Sequence, residues 1–187
     1  MKARRGGTWF QRWRVPLGFI IAPLFIVLAR PRPVTLAIGA IIGLTGLLLR
    51  AWASGHLRKN DELATGGPYA YTRNPLYLGS FLMGLGFTVA AGRWILALVF
   101  ALLFLGIYVP VMRVESATLE GLFADKYRLY ARSVPLFLPR VTPYRGVTAA
   151  NAQFDAGLYK RYREYQAALG FAGAWALLVA KALYFRF

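Results

Sequence analysis

The sequence contains no cysteine and a single histidine, His56. Disulfides and thiolate metal sites are therefore excluded, and so is any metal centre built from several imidazoles. Acidic residues are also scarce, seven against 23 Lys and Arg in 187 residues. Charged side chains of both signs make up only 16% of the chain, where a soluble domain carries about 25%. Apolar residues take their place, at 58% and in several long runs. This composition predicts an all-α, polytopic membrane helical bundle. The basic N-terminus, MKARRGGTWFQRWR, lacks a small-residue cleavage site after its apolar run and reads as a retained anchor flank.

Five membrane segments are predicted near 15–29, 34–57, 75–91, 94–112 and 167–184. All Lys and Arg except Arg30, Arg32, Arg93, Lys181 and Arg186 then fall on one side, together with every acidic residue. The positive-inside rule makes that side cytoplasmic, with the N-terminus on it. The net charge of +16 then reads as contact with anionic lipid head groups and not with nucleic acid. RPRP at 30–33 predicts a tight break between segments one and two, a helical hairpin over 15–57. Gly39, Gly43 and Gly46 in segment two suit close helix approach. Arg50 and His56 at its end are too polar for free lipid, and a substrate-facing role is the functional reading for both.

The stretch GGPYAYTRNPLYLG, Gly66 to Gly79, opens segment three. Asn74-Pro75 predicts an asparagine N-cap followed by a proline at the first helical position. A helix start offers free N–H groups, and with Arg73 beside it suits a carboxylate or phosphate. Further on, VESATLEGLFADKYRLYARS predicts a helix leaving the membrane, with Tyr127 and Tyr130 on one face. Glu115 and Glu120 near its start need partners: Arg113, Arg73 or Arg50 as salt bridges, or a ligand's hydroxyls or cationic group. Prolines at 135, 139 and 143 forbid a regular helix, so this apolar stretch is expected to lie on the membrane or cover a pocket. A final helix is expected to restart at Asp155, basic and tyrosine-rich first, then membrane-spanning.

These residues resemble the isoprenylcysteine carboxyl methyltransferase and phospholipid methyltransferase superfamily. Its signature, Gly-Pro-Tyr-x-Tyr-x-Arg-His-Pro-x-Tyr-x-Gly, is met by Gly67, Pro68, Tyr69, Tyr71, Arg73, Pro75, Tyr77 and Gly79. Its second block is met by Glu115, Leu119, Phe123, Tyr127, Tyr130, Val134, Pro135 and Pro139. The resemblance covers about 67–139 and implies a single membrane methyltransferase domain over 1–187, with 155–187 as its C-terminal helix. It implies S-adenosylmethionine as cofactor, in a cytoplasmic-side pocket, and a membrane lipid or prenylated acceptor.

In that reading Arg73, Asn74 and Glu115 are catalytic. Gly67, Tyr69, Tyr71, Pro75, Tyr77, Gly79, Glu120, Tyr127 and Tyr130 join them around the cofactor, and Arg50 and His56 meet the substrate. Asn74 stands where the family has histidine, Ser116 replaces the second acid of a pair, and Ala124 replaces a glycine. Methyl transfer depends mainly on positioning. Because Asn74 cannot take a proton, an already ionised carboxylate acceptor is favoured over a protonated amine. The alternatives are phospholipid N-methylation, a nicotinamide-dependent membrane reductase of related architecture, or a non-catalytic membrane protein.

Overall fold

A computed structural model describes residues 23–58, 62–146 and 153–185. Its order is α1 (residues 23–28), α2 (Pro33–Ser54), a 3₁₀ turn (Gly67–Ala70), α3 (Pro75–Ala91) and α4 (Trp94–Leu103). A π-helical stretch (Phe104–Tyr108), α5 (Val109–Ser133), α6 (Ala156–Arg161) and α7 (Tyr165–Phe185) follow. Among the described residues there is no strand. The N-terminal flank and most of the first expected segment, 15–29, lie outside the described residues.

Among the described residues three helices are long and apolar enough to cross a bilayer: α2, the continuous run Trp94–Ser133, and α7. At 17 residues α3 is apolar but shorter, about 26 Å at 1.5 Å per residue. Many large apolar side chains point outward, Ile41 and Leu48 on α2 and Leu102 and Leu105 after the turn among them. Such an outer surface is tolerable in lipid and not in water. The chain is a membrane protein.

The RPRP break stands where the prolines predict it. Arg32 is extended, Pro33 takes the first helical position, and the Arg32 N–H donates to Thr35 Oγ1 at 3.0 Å. The α2 glycines do what their spacing predicts. A Cβ on Gly39 would lie 2.4 Å from the Gly86 carbonyl, and one on Gly46 would lie 2.5 Å from that of Gly79. Helices α2 and α3 thus run antiparallel, backbone on backbone. Gly92, at φ 62, ends α3 in the left-handed conformation that glycine allows.

Three local expectations change. The exit helix is not straight: Ala124, at φ 43 and ψ −118, breaks α5 into two helical halves. The π stretch precedes Pro110, whose ring would clash with the carbonyl four residues back in a tighter turn. The C-terminal helix does start on an Asp155 cap, with Oδ1 accepting from Gly157 N–H at 2.7 Å. It then breaks after Arg161, with Arg163 at φ 55, before α7 begins. Near the far end of α7, Lys181 Nζ donates to the carbonyls of Ile26 and Val27, at 2.7 and 2.6 Å. These are carbonyls of the last turn of α1, which otherwise lack helical donors.

Candidate active site

The stretch before α3 is held by the proline-rich segment after α5. Arg73 N–H donates to the Pro135 carbonyl at 2.9 Å, and Thr72 Oγ1 to that of Phe137 at 2.9 Å. In return Arg140 and Tyr144 donate their N–H groups to the carbonyls of Tyr71 and Ala70, both at 2.9 Å. Three prolines stop residues 134–144 from spending these groups on a helix, which leaves them free to bind the neighbouring chain. Below them Phe81, Phe104 and Phe137 pack with ring centroids 4.9 to 5.6 Å apart.

Asn74 occupies the N-cap position, but its side chain makes no cap hydrogen bond. Its Nδ2 donates to the Leu136 carbonyl at 2.9 Å. The expected cap is therefore replaced by a tether to the proline segment. Pro75 is buried at the first helical position, where its missing N–H costs nothing.

Arg73 is the centre of the site. Its Nη1 donates to Ser116 Oγ at 3.2 Å and Tyr127 Oη at 3.1 Å, and its guanidinium lies 5.9 Å from the Tyr127 ring centroid. Its Nε is buried and has no partner among the described residues. The two hydroxyls of Ser116 and Tyr127 also touch each other. A cavity of about 510 Å³ opens here, lined by Arg73, Glu120 and Tyr127 with Arg113, Arg128 and Arg132. Glu120 is paired with Arg128 at 3.0 Å and not with the expected arginines.

The other predicted site residues do not line this cavity. Glu115 accepts from the Tyr77 hydroxyl at 2.7 Å. Tyr130 Oη donates to the Tyr69 carbonyl at 2.7 Å. The Tyr69 hydroxyl is buried, with no partner among the described residues. Burial raises its pKa far above the ordinary tyrosine value, reinforced by Tyr130 and Glu115 nearby, so it stays a neutral donor. Tyr71 is held through its carbonyl. Gly67, at φ 56, leaves room for the His56 ring, which a Cβ would meet at 2.5 Å. His56 Nδ1 lies 2.8 Å from the Trp52 carbonyl. Gly79 packs on Gly46 and Arg50, away from the cavity.

Arg50 grips Glu164, with contacts of 2.8 and 3.1 Å, and donates to Ser80 Oγ and the Leu76 carbonyl. It is thereby committed to protein partners. Sequence reasoning missed Glu164, Arg128 and Arg132 as local groups and took Arg113 only as a salt-bridge partner. Their signal was available: Arg113, Ser116, Ala117 and Glu120 follow helical i, i+3, i+4, i+7 spacing, as do Arg128 and Arg132 at i, i+4.

The family model for phospholipid methyltransferases matches residues 34–126. This range holds α2, the signature, α3, and α5 as far as its bend. Over just under half of its length the chain is thus similar to the phospholipid methyltransferases. It is 33% identical over 141 residues to the cobalt-zinc-cadmium resistance protein CzcN of Cupriavidus metallidurans, covering 72% of this chain and 65% of that one. It is 34% identical over 110 residues to the nickel-cobalt-cadmium resistance protein NccN of Alcaligenes xylosoxydans xylosoxydans, covering 56% and 51%. Over 83 residues it is 34% identical to the protein-S-isoprenylcysteine O-methyltransferase of Schizosaccharomyces pombe, covering 44% and 35%. The chain thus spans less than two-thirds of the length of each relative. No solved structure matches.

Proposed function

We propose that the protein is a membrane-embedded methyltransferase that acts on a lipid-like acceptor, with S-adenosylmethionine as methyl donor. The observation that carries this reading is the meeting of the two signature blocks at one cavity, Arg73 from the first against Ser116 and Tyr127 from the second. The buried, unspent Nε of Arg73 fits the carboxylate of the donor's amino-acid end. When bound, S-adenosylmethionine supplies an activated methyl group. The task of the chain's residues is to orient it and exclude water.

In this reading Arg73 holds the carboxylate, Tyr127 and Ser116 hold Arg73, and the Asn74 tether keeps the proline segment over the site. Glu115, with Tyr77, and the neutral Tyr69 hydroxyl are the remaining polar groups for the ribose or ammonium. The site lies on the cytoplasmic side of a five-segment bundle, as the charge asymmetry supports. Carboxylate O-methylation is favoured, because Asn74 offers no proton acceptor and one relative is named as an isoprenylcysteine O-methyltransferase. The match to the phospholipid methyltransferase model keeps N-methylation of a phospholipid as the second reading.

Titration calorimetry of the purified protein with S-adenosylhomocysteine tests the proposal. Micromolar binding is expected, weakened ten- to hundredfold in Arg73→Ala, because a hydrogen bond to a charged group contributes about 1.5–3 kcal/mol. A folded protein with no affinity for S-adenosylhomocysteine would sink it. Labelled S-adenosylmethionine with a prenylated cysteine or phosphatidylethanolamine separates the two acceptors.

A further inference from the structure

The cavity beside Arg73 carries more positive charge than a methyl donor can use. Four guanidiniums line it, with Glu120 as the one acid among its lining residues. Arg128 is spent on Glu120 and on Asp125, at 3.0 and 3.2 Å. A single carboxylate would satisfy Arg73. Arg113 and Arg132 remain, and neither has an ion-pair or hydrogen-bond partner among the described residues.

Two guanidiniums on one cavity cannot relieve their repulsion by losing protons, because arginine stays charged at any physiological pH. A bound anion relieves it and takes up their donors in forked geometry. The surroundings indicate what kind of molecule carries that anion. Ala117, Ala131 and Leu136 form the apolar part of the wall. This apolar wall suits the start of an acyl chain, and Arg113 lies on the continuous apolar run from Trp94 that is long enough to cross a bilayer.

We propose that Arg113 and Arg132 form a binding site for the phosphate of an anionic phospholipid, separate from the carboxylate contact of Arg73. The site needs only the cavity's own charges and stands whether or not the chain transfers methyl groups.

The test is calorimetric titration of the full chain in neutral detergent with three probes: dioctanoyl phosphatidic acid, dioctanoyl phosphatidylcholine and inorganic phosphate. Saturable binding of the phosphatidic acid is expected, with weaker binding of the other two. Each of Arg113→Gln and Arg132→Gln should weaken it about tenfold or more, and the double variant about a hundredfold. Lys126→Gln, an exposed cation of α5 outside the cavity, should leave it unchanged. Both arginines lack partners among the described residues, so their replacement should change stability little, which thermal unfolding of the double variant checks.

Unaltered affinity in a double variant that melts like the parent would overturn the site. Inorganic phosphate binding as tightly as the lipid would overturn the lipid assignment, and equal binding of phosphatidylcholine would overturn the charge argument. Binding is read directly, so a chain that holds phosphatidic acid but ignores S-adenosylhomocysteine still supports this inference.

Discussion

Ser116 and Tyr127 touch through their hydroxyls although they stand eleven positions apart on α5. On a straight helix that separation would be about 16 Å. Glu120 and Arg128, eight residues apart, likewise meet at 3.0 Å. Both contacts exist because α5 folds at Ala124, and the cavity is the space between its two halves. The superfamily has glycine at this position, and φ 43 with ψ −118 is a conformation that glycine adopts freely and alanine does not.

Ala124→Gly should therefore stabilise the protein. Relief of a strained non-glycine residue amounts to about 1–3 kcal/mol, offset in part by glycine's greater freedom in the unfolded chain. The expected net gain is about 1 kcal/mol, or roughly 2–4 °C in melting temperature for a chain of this size. Thermal unfolding in detergent reads it, and a lowered melting temperature would refute strain at this bend.

Tyr127→Phe separates the two ways in which Tyr127 holds Arg73. The ring stays, and with it the cation–π contact; the hydroxyl that accepts from Nη1 goes. S-adenosylhomocysteine affinity should fall about three- to tenfold, as for one ordinary hydrogen bond, and clearly less than in Arg73→Ala. An equal loss in both variants would mean that the hydroxyl itself meets the ligand.

The membrane class, the RPRP break, the glycine face of α2, the Pro75 helix start and the Asp155 cap were legible in the sequence because each depends on local rules. Prolines break helices, glycines admit close neighbours, and Asp caps, wherever the rest of the chain lies. The bend at Ala124 was not legible, because alanine is the best helix former and nothing local marks it. Only the tertiary pairing of α5's halves compels that conformation. Asn74 misled for a related reason: its N-cap place was correct, but a carbonyl from residue 136, distant in sequence, competes for its side chain. Arg128 and Arg132 were not singled out, since a charge count does not report which residues a fold brings together.

The Arg50–Glu164 pair links α2 to the break before α7, with side chains 22% and 12% exposed. Removing one partner of a largely buried pair strands the other charge and costs about 3 kcal/mol. Glu164→Gln should fall toward the lower end, because the amide still accepts from Arg50. Replacing both by methionine should cost less than Glu164→Met alone. A double-mutant cycle on melting temperature measures this. Additive losses would show that the two side chains act independently.

The α2–α3 contact offers the most severe test of the fold. Gly46 lies so near α3 that a Cβ would be 2.5 Å from the Gly79 carbonyl and 2.7 Å from the Met83 amide. Backbone, unlike the tip of a side chain, cannot swing aside. Gly46→Leu must therefore push α3 away from α2, and α3 carries Arg73 and Asn74 at its start. Overpacking of this kind costs about 1–3 kcal/mol or more, and the displaced helix start should also weaken S-adenosylhomocysteine binding. Leu48→Ala, on the exposed side of the same helix, should leave both stability and binding near the parent's. If Gly46→Leu melts and binds like the parent, the close approach of α2 and α3 is wrong, and with it the placement of the site.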